Sequence, residues 1–276
     1  MSTGTSAGET PAPEAPSHRT ALDLGDPERR IPLGRLVGVE LRKTADTRAG
    51  RWLLGIIVGI TAAIMVVFFL IADADDRLFG NFIGVAATPQ GFVLPVLGIL
   101  LVTSEWGQRT AMVTFALEPS RTRVIGAKVI AALIWGLGAF VAAIVIAAVV
   151  TLLGGAADGF AGLDVSVFVL FLGLQLLTIL QGLAYGLIFL NTPAAIVTFF
   201  VAPVASQLIF NLVPALRDPA PWLDLATAQQ ALFTSFGPGG AGLSGEEYAQ
   251  LGTTALIWIV LPFVAGWIRV MRAELK

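Results

Sequence analysis

The segment 104–128 combines charged residues with an apolar pattern of helical spacing, and it lies between two long apolar stretches. It contains four of the chain's seventeen Lys and Arg residues. Glu105 and Arg109 are four positions apart, so they could form an ion pair across one turn of a helix. A loop that only crosses a surface has no need of apolar residues at helical spacing. The pattern therefore predicts binding chemistry, in which a helix docks on a partner through apolar contacts and fixed charges. The apolar residues are Met112, Val113, Phe115 and Leu117.

Polar side chains also recur in a later apolar stretch. At steps of three and four residues the chain places Gln175, Thr178, Gln181 and Tyr185. Residues at such steps share one face of a helix. That face could line a substrate path. It could also supply hydrogen bonds between helices, which are the commoner role and are worth about 0.6 kcal/mol per contact on average. The same two interpretations apply to Ser206, Gln207 and Asn211.

The residue types exclude several kinds of chemistry. The chain has no cysteine, which excludes disulfides, thiol catalysis and Cys-ligated metals. Its one histidine, His18, lies in a polar stretch, so the chain alone provides neither a His-based triad nor a multi-His metal site. A Walker-type phosphate loop is missing, and no lysine follows the Gly-rich run 237–242. We therefore expect no enzyme activity and no cofactor in this chain.

Long apolar stretches must position these residues. Of the 276 residues, 56% are hydrophobic and 13% are charged, whereas soluble domains carry about 25% charged residues. A helix needs roughly 20 apolar residues to cross a bilayer. We predict an all-α polytopic membrane protein, in which small residues such as Gly136 and Gly138 allow close helix packing. Its six transmembrane helices are expected at about residues 52–72, 86–104, 129–153, 165–190, 194–213 and 251–270.

The segments that flank these spans have their own expected structures. Residues 1–30 are rich in Ser, Thr, Pro, Ala and Gly, which predicts a disordered tail. Residues 31–48 have apolar residues near helical spacing, with basic residues on other faces. They predict an amphipathic helix in the membrane interface or, alternatively, a short helix packed on protein. The run 88–91 breaks the second apolar stretch, so 77–85 is expected as an extracellular or partly re-entrant piece. Residues 214–250 are expected as a loop with a short helix at 224–236.

The basic residues are distributed asymmetrically. Fifteen fall on the side of the two termini, with eight before the first span, four in the 105–128 loop and three near the C-terminus. Arg77 and Arg217 are the two that fall on the other side. Because cytoplasmic segments carry the excess of Lys and Arg, both termini and the loop are predicted to be cytoplasmic. No charged residue lies in the central part of a predicted span, which disfavours proton-coupled transport.

The loop after the second predicted span has an ordered set of residues: Glu105, Arg109-Thr110, an apolar helix, Pro119-Ser120-Arg121 and Lys128. In this order they resemble the type-2 ABC transporter (ABC-2) permeases, which typically have a Glu, a Gly-Thr pair, a Pro-x-Arg and a Lys there. Arg109 departs from the family pattern, in which glycine is common. The segments 40–54 and 191–195 are similar to actinobacterial members before the first span and at the fourth-to-fifth turn. The resemblance covers about residues 33–270.

The resemblance implies a mechanism and partners. Residues 31–276 would be an ABC-2-type transmembrane domain, with 33–48 as the connecting helix at the membrane surface. Residues 105–118 would be the cytoplasmic coupling helix that docks on a separate ATP-binding cassette subunit. ATP and Mg would be held by that subunit, and a second permease subunit would complete a homo- or heterodimer. Coupling to the ATPase would be carried by Glu105, Arg109, Thr110, Phe115, Pro119 and Arg121.

We accordingly expect a multi-pass permease subunit of the cell membrane that exports a hydrophobic or amphipathic substrate. The lipid bilayer is its surroundings. A net charge of -2 and the lack of a basic patch interleaved with aromatic residues argue against a nucleic-acid partner. Two alternatives stay open. One is an ion-coupled secondary transporter or channel, in which neutral oxygens could bind the ion. The other is a membrane scaffold that transports nothing.

Overall fold

The computed structural model describes residue 4 and residues 31–155, 158–161, 165–235 and 242–273. In these residues the regular structure is helical and no strand occurs. The predicted tail lies, apart from residue 4, outside the described residues, as does most of the Gly-rich run. The α-helices within the described ranges are α1 (Leu33–Asp46), α2 (Arg48–Ile71), α3 (Phe79–Gly107), α4 (Ala111–Leu117), α5 (Arg121–Gly154), α6 (Val165–Phe189), α7 (Thr192–Leu212), α8 (Ala220–Leu223), α9 (Leu225–Ser235), α10 (Gly245–Ala255) and α11 (Leu261–Arg272).

Six helices in the described part of the chain are long and apolar enough to cross a membrane. Five of them are α2, α3, α5, α6 and α7. The sixth runs without a break from α10 through a π-helical turn at Leu256–Val260 into α11. The prediction of an all-helical membrane protein is confirmed for the described residues, with six helices that could span a membrane. The short helix predicted at 224–236 is present as α9.

The second span differs from its prediction. The run 88–91 suggested a break, yet α3 is continuous from Phe79 to Gly107 with Pro89 and Pro95 inside it. Residues 79–85 are therefore the first turns of the span-forming helix and not a separate re-entrant piece. Membrane helices tolerate internal proline because neighbouring helices and polar side chains satisfy the carbonyls that lose a partner.

Side-chain caps fix the start of helices that follow short connections. Thr47 Oγ1 accepts a hydrogen bond from the Gly50 N–H at 3.1 Å and begins α2 directly after α1. Asn191 Oδ1 accepts from the Ala194 N–H at 3.0 Å and begins α7. This bond lies in the segment 191–195, between the fourth and fifth spans. Each bond satisfies an N–H group that has no partner inside its helix.

The centre of the bundle is the contact between α3 and α6, where glycines let two backbones touch. A Cβ on Gly98 would clash with the backbone of Ile179, and a Cβ on Gly182 would clash with the backbone of Pro95. These helices therefore approach more closely than any side chain would allow. Of the two glycines predicted to allow close packing, Gly136 on α5 is buried against the α6 side chains of Leu176 and Ile179, whereas Gly138 faces open space.

Several helix ends gather at one end of the bundle, which we call the basic end. The amphipathic helix α1 packs there on α2 and α5, with Val37 and Glu40 buried. The end of α3, all of α4, the start of α5 and the end of α11 complete it. Of the described Lys and Arg residues, only Arg77 and Arg217 belong to segments at the opposite end.

Single cysteines test which end is cytoplasmic, because the chain has none of its own. Gln108 at the basic end and Asp75 at the opposite end are both exposed. An impermeant maleimide should label Asp75→Cys in intact cells and Gln108→Cys only after the membrane is permeabilised, since the basic end is expected inside. The reverse labelling pattern would place both termini outside.

Candidate functional site

The turn between α3 and α4 has a backbone conformation at position 109 that favours glycine. Arg109 adopts a φ of 57°, which lies in the left-handed region that glycine occupies at no steric cost. The chain has turned back by Thr110, whose N–H donates to the Glu105 carbonyl at 2.9 Å. A glycine, as is common in the family that the loop resembles, would suit this conformation. In this chain the arginine puts an exposed side chain at the start of α4 instead.

The helix α4 turns one apolar face inward and another outward. Ala111 and Phe115 are buried in the core at the basic end. On the outward face, Met112, Val113 and Leu117 are 49%, 60% and 72% exposed. A short polar connection would not expose three large apolar side chains next to one another, so this face is suited to cover by a partner or by lipid headgroups. We call these three residues the α4 face.

Arg121 connects α4 to the end of the last span. Its guanidinium lies 5.2 Å from the centre of the Phe115 ring. It also donates to the carbonyl oxygens of Val270, Met271 and Ala273 at 2.5, 3.1 and 2.9 Å. These carbonyls lie at the C-terminus of α11, where a cation is favourable because the helix dipole is negative. Pro119 is exposed in the connection between α4 and α5. Arg121, the first residue of α5, thus also caps the C-terminus of α11.

Glu105 belongs to a buried group of four charges, which we call the charge cluster: Glu40, Lys43, Glu105 and Lys128. The Glu105 carboxylate is 2.6 Å from Lys43 Nζ and 3.1 Å from Lys128 Nζ. The Glu40 carboxylate is 3.0 Å from Lys43 Nζ and 2.7 Å from Lys128 Nζ. The ion pair suggested with Arg109 is therefore replaced by pairs with two lysines. The cluster joins α1, the end of α3 and the start of α5.

The electrostatics of the cluster are balanced. The side chains of Glu40, Glu105 and Lys128 are buried, and that of Lys43 is 40% exposed. Lys128 Nζ has a further partner in the carbonyl oxygen of Leu101 at 2.8 Å, so all three of its donors have acceptors. Burial lowers the pKa of Lys43, but the ion pairs with Glu40 and Glu105 outweigh it and raise that pKa above its ordinary value. Lys43 is accordingly charged at neutral pH.

Sequence reasoning missed Glu40 as a site residue and interpreted Lys128 only as an anchor or family motif. Glu40 lies three residues after Val37, so the two share a face of α1. An acid on the apolar face of a helix was the available signal. Nothing local in the sequence identifies Lys128, 88 positions away, as its partner.

The polar face of α6 leads to a cavity between α3, α6, α7, α9 and the sixth span. Gln175, Thr178 and Gln181 line this cavity. Tyr185 instead packs edge-on against Phe199 with 5.9 Å between ring centres. Of the polar residues of α7, Ser206 lines the cavity, whereas Asn211 donates back to the Gln207 carbonyl at 2.8 Å and is exposed.

The segment after α7 folds back into this cavity. Asp224, which is 1% exposed, accepts a hydrogen bond from Ser206. Ser206 lies six residues before Leu212, the end of α7, or about 9 Å along the helix. Trp258 of the sixth span donates from Nε1 to the Leu223 carbonyl at 2.7 Å. The segment expected as a loop thus packs against two spans and places an acid beside Ser206, although no charged residue was predicted within the spans.

The described residues contain no group of three or more His, Cys, Asp or Glu side chains that could hold a metal ion. Comparison with protein-family models, curated proteins and solved structures finds no match to this chain. The fold defines the class of protein, which is a multi-pass helical membrane protein with six candidate spans.

Proposed function

We propose that this chain is the membrane-spanning subunit of an ATP-driven exporter, an ABC-2-type permease whose energy comes from a separate ATP-binding subunit seated on α4. The α4 face is the observation that carries this proposal. It is apolar, exposed and held on a helix whose other side is buried at Phe115. A surface of this kind suits a protein partner at least as well as a lipid headgroup layer.

The contacts behind α4 support a role in transmitting force. Phe115 contacts Arg121, which is bonded to the end of α11. Glu105, a few residues earlier, is tied by the charge cluster to α1 and α5. A displacement of α4 by the ATPase would therefore act on the ends of three spans at once, as a rigid-body movement. In this proposal Thr110 and Pro119 set where α4 begins and ends.

The proposed exporter has a defined orientation in the membrane, two kinds of partner subunit and a substrate class. Both termini and the basic end lie in the cytoplasm, because that end carries the excess of Lys and Arg. ATP and Mg are bound by the partner, and a second permease subunit completes the transporter. The substrate is hydrophobic or amphipathic, since the cavity that the polar face of α6 reaches has mainly apolar walls.

One observation favours a second candidate function, a cation-coupled secondary transporter. Ionisable side chains that face the interior of a membrane bundle commonly mark ion or proton pathways, and Asp224 is a buried acid that contacts the span α7 through Ser206. Reconstituted vesicles separate the two functions. Export that needs ATP and the ATPase supports the exporter, whereas flux that follows an ion gradient with no nucleotide and no ATPase would replace it by the second candidate.

The substitution Val113→Asp tests docking on the α4 face. A carboxylate in the centre of an apolar interface has to be desolvated, so the variant should capture the ATPase from native membranes at least about tenfold less well, a loss typical of central interface residues. Thermal melting of the purified chain should stay unchanged, because Val113 is exposed. Affinity capture followed by nucleotide hydrolysis of the eluate measures the effect.

A matched control is Val213→Asp, which makes the same change at an exposed site at the opposite end of the bundle. It should leave ATPase capture unaltered. If Val113→Asp captures the ATPase as well as the unmodified chain, while Val113→Cys in native membranes is freely labelled by a water-soluble maleimide, the α4 face is not the docking surface.

A further inference from the structure

We infer that the cavity between α3, α6, α7 and α9 binds an organic cation, namely an ammonium group with N–H donors on a small apolar body. Binding of this cation does not depend on the proposed function. Its role as a transport substrate rests on that function. The cavity has a volume of about 190 Å³, whereas a single water needs on the order of 10–15 Å³ by the same measure. Its apolar walls include Leu94, Phe171, Leu174, Phe199 and Trp258.

A series of hydrogen bonds fixes the orientation of the Gln175 amide, which is the first polar group of the cavity. Gln90 Nε2 donates to the carbonyl oxygen of Ala139 at 3.2 Å and to Thr61 Oγ1 at 3.3 Å. A backbone carbonyl only accepts, so the Ala139 contact determines which end of the Gln90 amide is nitrogen. The oxygen of that amide then faces Gln175, which must donate to it from Nε2.

The same series of hydrogen bonds leaves one acceptor, Gln175 Oε1, without a donor. Gln175 Nε2 donates to Gln90, whereas Oε1 at the other end of the same amide is a buried atom with no hydrogen-bond partner in the part of the chain that the structure describes. Gln175 is 4% exposed and lines the cavity. A buried acceptor that bonds to nothing costs free energy, which a donor from a ligand would recover.

Asp224 provides the second polar group. Its Oδ2 accepts from the Thr227 N–H at 2.8 Å and from Thr227 Oγ1 at 2.7 Å, and its Oδ1 accepts from Ser206. A carboxylate has about four acceptor positions, so one position on Oδ1 stays available. No Lys, Arg or His of the described ranges forms an ion pair with Asp224. Its negative charge therefore has no cationic partner there.

These two groups define the chemistry of the ligand. Gln175 Oε1 and Asp224 Oδ1 both accept, so the ligand must donate. The charge of Asp224 favours a cation and disfavours an anion. The aromatic rings among the walls attract an ammonium group through their electron-rich faces, and the apolar walls suit an apolar body. The remaining polar side chains that line the cavity are neutral.

Binding of 4-phenylbutylamine tests this inference. The full chain is purified in nanodiscs of phosphatidylcholine, which carries no net charge, and binding is measured by calorimetry against empty nanodiscs. The amine should bind, and its N-acetylated form, which lacks the charge, should bind at least about tenfold more weakly. Asp224→Asn should weaken amine binding by at least about tenfold, as expected when one partner of a buried charged contact is lost.

Asparagine keeps the cap of α9, so Asp224→Asn should fold normally, which thermal melting checks. Gln175→Leu should weaken binding severalfold. Asp218→Asn, which removes an exposed acid from the same segment, is the matched control and should change nothing.

The inference is overturned if the amine and its acetylated form bind equally, or if Asp224→Asn binds the amine as well as the unmodified chain. It is also overturned if native mass spectrometry finds a phospholipid in the cavity that the amine does not displace. No ATPase is present in this experiment. A failure here therefore leaves ATPase docking untouched, and a failure of docking on α4 leaves amine binding to stand by itself.

Discussion

Replacing Gly182 with valine should prevent the six-helix bundle from assembling. A Cβ at this position would overlap the backbone of Pro95 on α3, and a backbone cannot rotate away as a side chain can. Overpacking against side chains costs typically about 1–3 kcal/mol and occasionally more. Against a backbone at the central helix contact we expect a cost of at least about 3 kcal/mol. The purified variant should lose its monodisperse peak in size-exclusion chromatography.

The control for this substitution lies on the same helix. Gly173→Val adds the same side chain to α6 at a place where a Cβ meets nothing within 4 Å. It should give a normal peak and a melting temperature close to that of the unmodified chain. Gly182→Ala should fall between the two. If Gly182→Val folds and melts like Gly173→Val, the close contact between α3 and α6 does not hold the bundle together.

The spans could be predicted because a bilayer leaves a chain few options. A segment that crosses hydrocarbon must satisfy its backbone groups internally, so apolar length alone identifies six helices. The start of α3 could not be placed in this way. Pro89 and the residues around it are a turn signal in water, yet they are tolerated in a helix that packs on α2, α5, α6 and α7. The glycines of the central contact were also missed, because glycine at a helix contact and glycine at an open face look alike in a sequence.

The candidate site was predictable only where its residues are close in the chain. The helix stop before Pro119 follows from local spacing, whereas the burial of Phe115, which was expected to dock on a partner, does not follow from it. The partners of Glu105 do not, since Lys43 is 62 positions away. Asp224 was missed for a different reason. Its segment is polar enough to be a surface loop, and only the tertiary fold places it against Ser206.

Replacing Lys128 with methionine should be strongly destabilising. Methionine keeps most of the length of lysine and removes its charge, so the carboxylates of Glu40 and Glu105 would be left with Lys43 alone. Removing one partner of a buried ion pair costs about 3–5 kcal/mol, because the opposite charge stays buried without compensation. The free energy of unfolding in mixed detergent micelles, with SDS as the denaturant, measures the loss. Lys43→Met is the matched comparison and should cost less, because Lys43 is 40% exposed and Lys128 still contacts both carboxylates.

A second substitution decides whether the loss is electrostatic. Adding Glu40→Gln to Lys128→Met removes the unbalanced acid and leaves the pair of Glu105 and Lys43 at 2.6 Å. The double variant should therefore be more stable than Lys128→Met alone, and the coupling energy between the two substitutions should lie within the range of about 0.5–3 kcal/mol. If it is no more stable, packing and not charge balance explains the loss.

The charge cluster also allows two roles of Glu105 to be distinguished by experiment. If Glu105 acts by holding α1, α3 and α5 together, Glu105→Gln should lower stability and ATPase capture together, whereas Val113→Asp should lower capture alone. Reduced capture by Glu105→Gln at unchanged stability would instead mean that Glu105 acts on the partner directly.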